Sequence, residues 1–150
     1  MIVDSTALLE RAVDDIVTSA FQSAGQRCSA LRMLYVQEEI HDPLIEMLMG
    51  ASKLLQVGDP IEAATDVGPL IDAEAQRNVE IHVDTARHRG ALVWQGHAPQ
   101  NGTYVAPSII AVSGIEALRE GMFGPVLHVA TYRAGTETTS LIQSTIAATG

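Results

Sequence analysis

The stretch Phe21-Gln22-Ser23-Ala24-Gly25-Gln26-Arg27-Cys28-Ser29-Ala30, running on into Leu31-Arg32-Met33-Leu34-Tyr35-Val36, decides how this chain is read. Upstream of it, Leu8, Leu9, Ala12, Val13, Ile16, Val17, Ala20 and Phe21 recur at helical spacing and predict a helix with one apolar face. Asp4 or Ser5 is placed to cap that helix near Thr6, and the helix should end before Gly25. Downstream, residues 30–36 are mostly apolar and predict a buried strand. Gly25 permits a tight turn or a positive φ. Such a turn presents Cys28 at the lip of a sheet, where the crevice at the carboxyl ends of the strands is the expected ligand site. Arg27 next to it would favour the thiolate electrostatically. The local residues leave two readings of Cys28 open: a buried structural thiol and a reactive one.

The alternation continues along the chain. Residues 40–55 and 73–89 predict amphipathic helices, the first with Pro43 in its opening turn and the second closed by Gly90. Residues 58–69 are punctuated as a loop. Residues 91–94, 104–112 and 126–132 predict strands, 96–102 a polar turn, 115–120 a short helix and 137–147 a last helix. Strands alternating with helices imply an α/β layered sheet with substantially parallel strands. Ile2 and Val3 start strand-like with no element before them, and the last helix stops at Thr149-Gly150, so both edges are expected to be cut.

Composition bounds the function. The chain has 150 residues, a formal net charge of −9 and a pI near 4.8. An acidic chain with no Lys/Arg cluster has little with which to displace counterions, so nucleic acid and anionic membranes are excluded as partners. No apolar run is long enough to span a bilayer, and the N-terminus lacks a signal pattern, which predicts a cytoplasmic location. A single cysteine excludes an internal disulfide and a cysteine-based zinc site. His41, His82, His88, His97 and His128 have no metal-ligand spacing and are expected to be solvated or satisfied. Glu38 and Glu39 begin a helix, Glu116 and Glu120 read as a solvated face, and Met33, Met47, Met49 and Met122 read as packing.

Phe21-x-Ser23-x-Gly25-Gln26-x-Cys28 resembles the cysteine signature of the aldehyde dehydrogenase superfamily. The longer string Ser23-Ala24-Gly25-Gln26-Arg27-Cys28-Ser29-Ala30-x-Arg32 is most similar to the Δ1-pyrroline-5-carboxylate (L-glutamate γ-semialdehyde) dehydrogenases, especially those forming the C-terminal domain of bifunctional proline-utilisation flavoproteins. Asp66-Val67-Gly68-Pro69-Leu70-Ile71, Gly102-Thr103-Tyr104-Val105-Ala106-Pro107 and Phe123-Gly124-Pro125-Val126-Leu127 follow in the family's order. The resemblance covers essentially the whole chain. It implies the layered αβα catalytic domain of that fold over residues 1–150, incomplete, with the cofactor domain largely absent.

The resemblance also implies roles. Cys28 is the nucleophile, and its backbone N–H is part of an oxyanion hole. Ser29 helps hold the substrate's α-carboxylate. Phe123 lies beside the nicotinamide end of NAD or NADP, while Gly124 and Pro125 read more simply as turn residues. The family's general-base glutamate lies in a motif before the position of Met1, and much of the cofactor site is upstream too. The chain alone is therefore expected to bind no cofactor and turn over no aldehyde. Gly121 stands where the family usually has a ribose-binding glutamate, with Glu120 one place off, and Ala147 stands where it usually has asparagine. These departures also fit a degenerate, non-catalytic descendant acting as a structural or interaction module. An incomplete layer exposes apolar surface, which predicts self-association.

Overall fold

The computed structural model describes residues 1–118 and 123–149. Five strands form one mixed sheet in the order β1-β2-β5-β4-β3. They are β1 (Ile2–Val3), β2 (Met33–Gln37), β3 (Leu92–Gln95), β4 (Ser108–Ala111) and β5 (Val126–Tyr132). The pairs β1·β2, β2·β5 and β5·β4 are parallel, and β3 alone runs antiparallel, against β4. The helices are α1 (Leu9–Phe21), α2 (His41–Ser52), α3 (Ala73–His88) and α4 (Thr136–Thr149). The α/β class and the mostly parallel sheet agree with the sequence pattern.

The pleat explains which side chains meet. Side chains alternate across a strand, and paired residues of parallel neighbours share a face. Leu34 is in register with Val129, and Ile109 with Leu127. All four join the main core with Val13, Ile16 and Phe21 of α1 and Leu44 and Leu48 of α2. Tyr35 is in register with Ala130 and lies on the opposite face. There it forms a smaller cluster with Met33, Ile115, Ala130 and Tyr132, covered in part by Leu141 of α4. Its hydroxyl accepts from the Ile115 N–H at 2.9 Å, so the buried phenol is satisfied. Met47 and Met49 pack against the main core, as expected of them.

Several boundaries differ from the sequence pattern. The first helix starts at Leu9, and its N-cap, Leu8, makes no side-chain cap bond. Asp4 instead closes a local turn, accepting from the N–H and the hydroxyl of Thr6 at 2.9 and 2.6 Å. A short polar side chain can satisfy either kind of N–H, and here the local turn wins. The second strand begins at Met33 because a turn, closed by Ala30 N–H to Arg27 carbonyl at 3.1 Å, occupies the preceding residues. The strand expected over 104–112 is paired only from Ser108 to Ala111. Pro107 has no N–H to give a ladder. The third helix does start at Ala73 as expected, and Asp72 caps it, accepting from Ala75 N–H at 2.8 Å. The short helix expected over 115–120 is a 3-10 turn at Ile115–Ala117, and Arg119 to Met122 lie outside the described residues.

Candidate active site

The thiol loop is built by backbone conformation. After α1, a 3-10 turn spans Gln22–Gly25, and Ser23, Ala24 and Gly25 all take left-handed conformations, with φ of 56°, 53° and 66°. For residues with a Cβ this costs about 1–2 kcal/mol each, so surrounding packing must hold the turn. Ala24 is buried in the core and supplies part of that hold. Gly25 is required twice over: a Cβ there would stand 2.1 Å from the Gly124 carbonyl oxygen. The backbones of the Gly25 turn and the Phe123-Gly124-Pro125 turn are therefore in direct contact.

Gln26 joins a third segment to these two. Its Oε1 accepts from Ile71 N–H at 2.9 Å, and its Nε2 donates to the Pro69 carbonyl at 3.2 Å. The same amide also donates to the Ser23 carbonyl at 3.4 Å, tying it back to the left-handed turn. Only a group with both an acceptor and a donor makes this set. Gly68 to Ile71, the cysteine loop and the Gly124 turn thus become one unit, although they are far apart in sequence.

Cys28 is exposed, in the turn between Arg27 and Ala30, and Ser29 beside it is exposed too. Within this chain Cys28 is therefore not a buried thiol. Its position also corrects the expected side of the sheet. The thiol precedes the amino end of β2, and Gly124-Pro125 precedes the amino end of β5, so the cluster is not at the carboxyl ends of the parallel strands. The crevice rule applies to a chain that binds its ligand where parallel strands exit, and this loop enters the sheet instead. Arg27 donates to the Thr18 carbonyl of α1, at 3.5 Å.

Phe123 is 47 % exposed, and one face of its ring carries the Arg32 guanidinium at 4.5 Å. Arg32 is anchored in turn. Its carbonyl accepts from both the backbone N–H and the ring Nδ1 of His128, each at 3.0 Å. His128 is 2 % exposed, and its Nε2 lies 2.7 Å from Nε2 of His82 on α3. A carbonyl can only accept, so His128 carries its proton on Nδ1 and accepts from His82 at Nε2. Burial drives the His128 pKa down from 6.5 to about 4, against the raising effect of the bond to Arg32, and burial also lowers that of His82. The expectation of satisfied histidines holds for both, but their pairing was not foreseen. They stand 46 residues apart, and no local spacing signals it.

Among the described residues, no group of three or more His, Cys, Asp or Glu side chains is placed to hold a metal. No helix among them is long and apolar enough to cross a membrane. Of the predicted site residues, Cys28 and Ser29 share one turn, and Phe123 adjoins the Gly124 contact with that loop. Gly121 and Glu120 lie outside the described residues. Ala147 lies exposed on α4.

A thiol is thus displayed on a left-handed turn, backed by a glycine contact and an amide latch. Residues 1–148 match the model of the aldehyde dehydrogenase family, and the chain belongs to that family. It is 47 % identical over 140 residues to the bifunctional protein PutA of Escherichia coli K12, covering 88 % of this chain and 11 % of that protein. It is 34 % identical over 136 residues to the 1-pyrroline-5-carboxylate dehydrogenase of Geobacillus kaustophilus, covering 89 % of this chain and 26 % of that one. The crystal structure of a Bradyrhizobium japonicum proline utilization A mutant superposes with a TM-score of 0.88 at 45 % identity, over 99 % of this chain and 15 % of that one. The chain therefore spans about a tenth to a quarter of the length of these relatives.

Proposed function

We propose that residues 1–150 are the nucleophile-bearing part of the catalytic domain of an NAD(P)-dependent dehydrogenase that oxidises L-glutamate γ-semialdehyde to L-glutamate in proline catabolism, in the cytoplasm. The observation that carries this reading is the Gln26 latch together with the Gly25–Gly124 contact, which bring three family motifs to one thiol. The Cys28 thiolate adds to the aldehyde carbon, and the carbonyl oxygen takes the charge, with the Cys28 N–H as one donor. Ser29, in the same turn, donates its hydroxyl to the α-carboxylate. NAD(P), when bound, would supply the hydride acceptor for oxidation of the adduct, with Phe123 beside its nicotinamide end. Phe123 fits a flat ring: Arg32 fixes one face, and the ring remains about half exposed. Water then releases the carboxylic acid and returns the thiol, a step that needs a base the described residues do not bring to the loop.

The isolated chain is accordingly expected to form no NADH with glutamate semialdehyde, and its uncovered apolar positions to drive self-association. The decisive experiment places this chain in frame, in place of the matched residues, in the E. coli PutA relative. The hybrid should oxidise glutamate semialdehyde, and Cys28→Ala should abolish that activity. A hybrid that folds and binds NAD yet shows no turnover would overturn the reading in favour of a non-catalytic descendant.

A further inference from the structure

We infer that the cavity between the carboxyl end of α2 and β3 binds a small carboxylate carried on a flat or ring-shaped apolar body. The cavity has a volume of about 700 Å³, and none of the residues of the thiol cluster lines it. Concave sites of this size with a few converging polar groups are where small molecules bind. Its walls carry Ser52, Lys53 and Gln56 on one side and Trp94, Gln95 and His97 on the other.

Charge selects the ligand. The chain has 18 acidic residues against 9 basic ones, yet no Asp or Glu lines this cavity. Lys53, which does line it, is the only lysine in the chain. Donors surround it. The Gln95 Oε1 is taken by the Arg87 guanidinium, which leaves the amide's N–H groups as its free end. Ser52 is 1 % exposed, and its hydroxyl has no hydrogen-bond partner among the described residues. A buried hydroxyl without a partner is costly, and a carboxylate oxygen lodged at the floor would supply one.

Shape selects the ring. Trp94 lies against Gly96, where a Cβ would stand 3.0 Å from the tryptophan Cη2 and 3.6 Å from Pro107 Cδ. The indole thus packs against Gly96 as one wall, and Pro99 and Pro107 line the same cavity. A flat ligand gains stacking area on such a wall, while its carboxylate reaches the cation and donors.

Trp94 is the only tryptophan, so its fluorescence and its single indole N–H resonance report this cavity alone. The test titrates the whole chain with benzoate and with its uncharged analogue benzamide. Benzoate should give a saturable change in both signals, with half-saturation at least about ten times lower than for benzamide, a difference of about 1.4 kcal/mol. Lys53→Gln, at an exposed position, should bring the two ligands to within about threefold of each other while the circular dichroism spectrum is unchanged. Lys53→Arg should retain the preference for benzoate. A linear, non-saturating response, equal binding of the two ligands, or a Lys53→Gln variant that keeps the full preference would each overturn the assignment.

Discussion

The Cys28 loop and the His82–His128 pair are both polar and chemically capable, but they are held in opposite ways. The thiol is kept in water by a backbone turned left-handed over Ser23, Ala24 and Gly25. The His128 imidazole is kept out of water, donating to the Arg32 carbonyl and accepting from the half-buried His82. One arrangement stores strain to display a group, and the other spends hydrogen bonds to bury one. Arg32 belongs to both, with its carbonyl on His128 and its guanidinium on Phe123. The display of the thiol is thus linked to packing some distance from it in sequence.

The largest effect expected is at the turn. Gly25→Ala adds a methyl where the Gly124 oxygen already stands and keeps a φ of 66°. It should cost more than about 3 kcal/mol in urea unfolding, well outside the usual range for a surface change. A loss below about 1 kcal/mol would mean that the two turns do not touch.

Acid tests the buried histidine. The folded His128 has a pKa of about 4, below the 6.5 of the free group, so between those values the unfolded chain binds the extra proton. Stability should therefore be full above pH 6.5 and fall as pH drops towards 4, by about 3 kcal/mol at 1.36 kcal/mol per unit. Carboxylates titrate in part of the same window, so the check is the difference between this chain and His128→Gln. Parallel pH dependences of the two would show that the imidazole is not the titrating group.

Gln26→Met keeps the side-chain length and removes the latch. It should lower stability by about 1–2 kcal/mol and speed hydrogen exchange at the Ile71 amide, whose acceptor is the Gln26 Oε1. Unchanged exchange there would break the link between the two loops. The smallest effect is at the bridge between the regions. Arg32→Met should cost about 0.5–1 kcal/mol, the worth of an exposed cation–π contact. A near-ultraviolet spectrum unchanged around the phenylalanine bands would argue that Phe123 does not depend on it.

Much of the fold could be read from local pattern, because burial repeats with the period of the element. Val126–Tyr132 emerges as the strand expected, and Gly90 follows α3 with the positive φ that its chemistry predicts. Boundaries failed where two local bonds competed, as at Asp4, or where a turn took residues apolar enough for a strand, as at Ala30 and Leu31. At the site, Cys28 and Ser29 were singled out by one contiguous motif and Phe123 by another. The latch from Gln26 to Pro69 and Ile71 and the histidine pair were illegible, because each joins residues more than 40 positions apart. The left-handed Ser23 and Ala24 gave no signal either, since neither residue type announces a positive φ.

The register of the sheet has a consequence for how the chain comes to exist at all. β5 lies between β2 and β4, pairing Met33 with His128 and Ile110 with that same residue. During synthesis, β2 and β4 are both made before the strand that must separate them. Until Tyr132 has left the ribosome, two apolar strands each lack a partner along one edge, and they are free to pair wrongly with each other or with a neighbouring chain. Loop closure over nearly a hundred residues must precede the first correct β2–β5 bond. β5 is therefore the keystone of this sheet, and delaying it, as by slow codons between Ala111 and Val126, should raise the aggregated fraction more than the same delay placed before Ala91.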